Sequence, residues 1–79
     1  MKLTELKRGE SSKIVKIGNI GELKQRLTAL GIGRGETIKL ERNAPLGDPQ
    51  EYIVRDTAIA IRKEDAEFIE IENIRGDVN

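Results

Sequence analysis

Apolar and polar positions alternate in short bursts along this chain, and the period changes only once. Lys13-Ile14-Val15-Lys16-Ile17 is rich in β-branched residues and reads as a strand. Leu23, Leu27 and Leu30 then fall at i, i+4 and i+7, with Glu22, Lys24, Gln25 and Arg26 on the other faces. That spacing predicts one helix, closed by Gly31 as a left-handed cap. Its stripe must pack on a sheet, because a helix this short does not stand alone. Leu23 and Leu27 are expected in the core, and Leu30, in the last turn, is expected partly exposed. Period two then returns. Ile38, Leu40 and Arg42 alternate with Thr37, Lys39 and Glu41, predicting a strand with one buried face. Gln50–Val54 and Thr57–Ile61 are two further β runs, joined at Arg55-Asp56 as a tight hairpin without the usual glycine. Arg62-Lys63-Glu64-Asp65-Ala66 is one helical turn at most, and Ile69 and Ile71 alternate with Glu70 and Glu72 in a last strand.

Arg-Gly-Glu occurs twice, at residues 8–10 and 34–36, each time leading into a β run, so both copies read as strand-entry turns. Five short strands, glycine turns and one helix argue for a small closed β structure over residues 1–75, with 76–79 as a frayed tail. Periodicity alone does not separate such a barrel from an OB-fold.

Both prolines fall in Asn43-Ala44-Pro45-Leu46-Gly47-Asp48-Pro49, between two β runs. Proline fixes φ and lacks a donor, so this segment is neither helix interior nor central strand. Ala44-Pro45-Leu46-Gly47 fits a type I turn, and Asp48, before Pro49, is pushed to an extended conformation. The result is a stiff loop with Leu46 and a carboxylate at its tip. Arg26 or Arg62 is a candidate to hold Asp48 within the fold.

Composition removes more functions than it suggests. The 79 residues contain no cysteine and no histidine, which takes away disulfides, thiolate metal sites, the commonest general base and the commonest transition-metal ligand. Ser11-Ser12 has no histidine to activate it. Glu64, Asp65, Glu67, Glu70 and Glu72 match no EF-hand spacing and read as a solvated face. No catalytic, cofactor or metal residue is assigned. Gly31-Ile32-Gly33-Arg34-Gly35 follows a helix and opens a strand, the reverse of a phosphate-binding glycine loop.

Fourteen basic and fourteen acidic residues cancel, and Tyr52 and Phe68 are the only aromatics, so nucleic acid is not the expected partner. Residues 1–42 carry ten basic and five acidic residues, a net of +5. Residues 43–79 carry four and nine, a net of −5, and the two are expected to pair up across the surface. The longest purely apolar run, Ala58–Ile61, is far short of the ~20 residues that span a bilayer. The start lacks the apolar core of a signal peptide, so no membrane insertion and a cytoplasmic location are expected.

Four segments in order carry a resemblance. They are Leu3-Thr4-Glu5-Leu6-Lys7-Arg8-Gly9-Glu10, Gln25-Arg26-Leu27-Thr28-Ala29-Leu30-Gly31-Ile32, the Ala44–Pro49 loop, and Ile59–Ala66 followed by Ile69-Glu70-Ile71. Together, from about Leu3 to Glu72, the chain resembles the FeoA domain family of ferrous iron transport. The resemblance implies an SH3-like β-barrel of about five strands with one short α-helix inserted after the first. It implies a small cytosolic accessory, not an enzyme, that contacts the FeoB membrane GTPase and permease. Leu30, Ile32, Pro45, Leu46, Asp48 and Pro49 are the expected contact residues, with Leu46 as apolar anchor and Asp48 as charged group. The alternative it implies is a regulatory domain like the C-terminal part of metal-dependent transcriptional repressors, acting in trans. An iron-transport association does not make the chain an iron binder, since nitrogen and sulfur ligands are missing.

Overall fold

The computed structural model describes residues 1–76; the part of the expected tail at residues 77–79 lies outside them. After a 3₁₀ turn at Leu3–Glu5 come β1 (Ser11–Ile17), α1 (Gly21–Ala29), β2 (Thr37–Arg42), β3 (Gln50–Val54), β4 (Thr57–Ile61), α2 (Lys63–Ala66) and β5 (Ile69–Ile71). The strands form one antiparallel sheet in the order β4-β3-β2-β1-β5. This is the mainly β, five-stranded architecture with one inserted helix that the periodicity predicts. The sheet curls into a small barrel-like form, although its two edge strands, β4 and β5, do not hydrogen-bond to each other.

Burial follows the period of two. Ile38 and Leu40 of β2, Ile59 and Ile61 of β4, and Ile69 and Ile71 of β5 point inward, and their neighbours along each strand are exposed. Leu23 and Leu27 close the core from α1. Each such aliphatic side chain contributes roughly 1.5–3 kcal/mol on burial, which is what a domain without disulfides has to rely on. Arg42 departs from the alternation. The β2–β3 register shifts between Leu40 and Arg42, and this irregularity turns Arg42 out to solvent. β1 begins two residues earlier than its β-branched run, because Ser12 is buried and its hydroxyl donates to the Glu72 carbonyl at 2.7 Å.

The outer edge of β5 is covered by the chain's own beginning. The Met1 ammonium donates to Ile71 O at 3.0 Å, and Ile71 N–H donates back to Met1 O at 2.8 Å. Lys2 bridges Glu70 beside them.

Candidate interaction site

The proline loop is a tight turn braced onto the barrel. Gly47 N–H donates to Ala44 O at 2.8 Å, closing the turn over Pro45-Leu46, and Gly47 takes φ +85°, a region open to a residue without Cβ. The Asp48–Pro49 peptide bond is cis. The Asp48 carboxylate accepts the backbone N–H of Lys63, the first residue of α2, at 2.9 Å. Neither candidate arginine holds it. Arg26 Nη2 donates to Ala60 O at 3.1 Å, and Arg62 lies 3.9 Å from Glu64.

Beneath the loop, Tyr52 is buried in β3. Burial, and secondarily the negative charge of Asp48, push its hydroxyl up to about 12. At the top, Leu46 is 95% exposed, and Pro45, Asp48 and Pro49 are also exposed. An apolar side chain thus stands clear of the protein on a support fixed at both ends.

Leu30 and Ile32 lie elsewhere. α1 ends in a Schellman arrangement: Ile32 N–H donates to Leu27 O at 2.8 Å and Gly31 N–H to Thr28 O at 2.9 Å, with Gly31 at φ +73°. Ile32 is buried with Leu27 in the core, so its side chain offers no surface, whereas Leu30 is 45% exposed. This helix end is tied to the β3–β4 hairpin. The Arg55 guanidinium donates to Gly31 O, and its Nε reaches Glu36 Oε2 at 2.5 Å. The proline loop sits at the start of β3 and the Arg55 turn at its end. The five residues of β3 therefore hold Leu46 and Leu30 at opposite ends of the sheet, about 13 Å of strand apart.

The Arg55 clamp and the Lys63 amide under Asp48 are not legible in the sequence, since neither spacing nor residue type signals them. Among the described residues no group of three carboxylates is placed to hold a metal ion. Glu64, Glu67, Glu70 and Glu72 are exposed, and Asp65 is half-buried. No helix among these residues is long and apolar enough to cross a membrane.

Known proteins match this chain along most of its length. The FeoA domain family matches residues 1–73. A relative from Porphyromonas gingivalis, described as a fusion of Fe(2+) transport protein A with the Fe(2+) transporter FeoB, is 38% identical over 74 residues. That match takes in 94% of this chain and only 9% of the relative's length. The solution structure of a FeoA protein from Chlorobium tepidum superposes with a TM-score of 0.86 at 36% identity, covering 99% of this chain and 74% of that one. A Stenotrophomonas maltophilia FeoA, crystallised with zinc and described as an SH3 domain protein, gives 0.76 at 25% identity, covering 91% and 89%. A manganese-dependent transcriptional repressor, at 10% identity and a TM-score of 0.72 over 87% of this chain and 39% of its own, shares the fold alone.

Proposed function

Because the chain belongs to the FeoA domain family, we propose that it is an accessory of bacterial ferrous iron transport that acts by contact on a FeoB-type membrane GTPase and permease. Leu46, 95% exposed on a loop braced through Gly47 and Asp48, is the observation that carries this reading. An apolar residue held out rigidly loses little freedom on docking, so its burial against a partner is not offset by ordering cost. Pro45 and Pro49 stiffen the same loop, and Asp48, already bonded to Lys63 N–H, keeps acceptor capacity for a partner's arginine or amide. A relative that joins the two proteins in one chain supports association, because such linkage keeps interacting partners at high local concentration. The cytoplasmic side of the membrane is the proposed location. The sequence has no histidine or cysteine, and among the described residues no carboxylates are grouped, so no such feature favours an enzymatic role. A regulatory role in trans draws on likeness of fold only.

Pull-down of the transporter from solubilised membranes tests this. Leu46→Ala is expected to weaken capture, and Leu30→Ala, at the other end of the sheet, to leave it unchanged. Equal capture by wild type and Leu46→Ala removes the loop from the contact, and loss with Leu30→Ala alone moves the contact to the helix end.

A further inference from the structure

The edges of the sheet are treated unequally. β5 has its outer backbone groups occupied by Met1 and Lys2. β4 does not. Val54 and Thr57 flank the two-residue hairpin as a hydrogen-bonded pair, and the β3–β4 register runs unbroken to Gln50 and Ile61. Thr57, Ile59 and Ile61 therefore turn their backbone groups toward β3, and Ala58 and Ala60 turn theirs outward. Among the described residues one group reaches this edge, Arg26 at Ala60 O. The N–H groups of Ala58 and Ala60 have no partner there. Arg26 apart, the strand itself does not blunt the edge: Thr-Ala-Ile-Ala-Ile has no proline, lysine or bulge, and the alanine side chains are exposed and too small to shield the backbone.

We propose that two copies of this chain pair antiparallel through β4, about a two-fold axis at Ile59. An antiparallel register centred on a residue of the strand sets outward groups against outward groups, and centring on Ile59 pairs Ala58 with Ala60 in both copies and uses the whole strand. Ala58 N–H then meets Ala60 O of the second copy, and Ala60 N–H meets its Ala58 O, with the same bonds repeated by symmetry. Small residues face each other, so the Cβ atoms do not collide. Arg26 keeps its place, since a carbonyl oxygen accepts two hydrogen bonds. The same register brings Asp56, before the strand, opposite Arg62, after it, once at each end. A parallel or shifted pairing loses this match. Charge complementarity thus selects a second copy over an arbitrary strand.

Sedimentation from micromolar to millimolar concentration, with amide exchange at the extremes, tests the pairing. Expected are a monomer–dimer equilibrium, protection of the Ala58 and Ala60 amides in step with it, and weakening by salt. Arg62→Asp, which opposes like charges at both ends and leaves the monomer's exposed surface otherwise intact, is expected to raise the dissociation constant about tenfold or more. Ala58→Pro removes an outward donor and is expected to abolish the dimer. A chain that stays monomeric at millimolar concentration overturns the proposal, as does association that leaves these amides unprotected. Dimerisation undiminished in Arg62→Asp overturns it equally, and that variant keeps the test open should Ala58→Pro fail to fold.

Discussion

Tyr52 is the only tyrosine of a chain without tryptophan, so its ionisation can be followed by ultraviolet absorbance with nothing overlapping it. Its hydroxyl is raised to about 12 by burial first and by Asp48 second, which means that folding favours the neutral phenol. The stability linked to it is complete below the ordinary value of 10 and is lost as pH rises toward about 12. The absorbance titration is expected to lag that of the unfolded chain, and Tyr52→Phe to remove the alkaline loss of stability. Glu10 behaves oppositely. The Arg75 guanidinium, then the Lys7 N–H, hold its carboxyl below the usual value. Its contribution is present above the glutamate range and disappears as acid protonates it, and Glu10→Gln is expected to flatten the acid limb of a denaturation series. Glu10 and Arg75 are both at the surface, so the Glu10 effect is small and weakened by salt. Leu46→Ala is expected to change stability by no more than about 0.5 kcal/mol, read as an unchanged thermal midpoint. At this scale the sequence shows the exposed loop tip but not what holds Asp48, because a backbone amide fifteen positions away leaves no mark in residue type. Ile32 misleads for a related reason: an apolar residue next to a helix-ending glycine is the staple of that cap, not a surface anchor.

Elements were the most legible level. β3 and β4 run from Gln50 to Val54 and from Thr57 to Ile61, the bounds of the two expected β runs, and α1 carries its buried leucines where the i, i+4 spacing puts them. Arg55 and Asp56, at φ +50° and +65°, make the two-residue turn without glycine. The contacts of Arg55 with Gly31 O and Glu36 compensate its left-handed backbone, a compensation that local preference cannot foresee. Leu27→Ala is expected to cost ~2–5 kcal/mol, since Leu27 is 2% exposed in the middle of the stripe. In a domain this small, chemical denaturation should show a substantial unfolded fraction in water. Gly31→Ala is a sharper probe of the helix end. The nearest atom to an added Cβ is Arg55 Nη2 at 3.5 Å, an ordinary contact, so the penalty is purely that of a left-handed backbone. It is expected to be about 1–2 kcal/mol by the same measurement.

For the whole molecule, the expected cancellation of charge between the two halves takes an unexpected form. Arg55–Glu36 and Arg75–Glu10 cross between them, but each joins a base of the acidic half to an acid of the basic half, so the opposite excesses persist. The missing histidine and cysteine act at this scale too. Calorimetry with ferrous iron, zinc or manganese is expected to show at most weak binding, and a submicromolar site would contradict the assignment of function to contact alone. Barrel curvature was not readable from periodicity, because alternation marks which face is buried and not how strands order or curl. The N-terminal residues woven against β5 have a mechanical consequence. Met1 and Ile71 lie side by side on antiparallel segments, with Lys2 and Glu70 next along. Tension applied through these segments loads their bonds in succession, as in a zipper, instead of sharing force among them. A tether at Met1 drawn against one just beyond Ile71 should peel this seam open at low force.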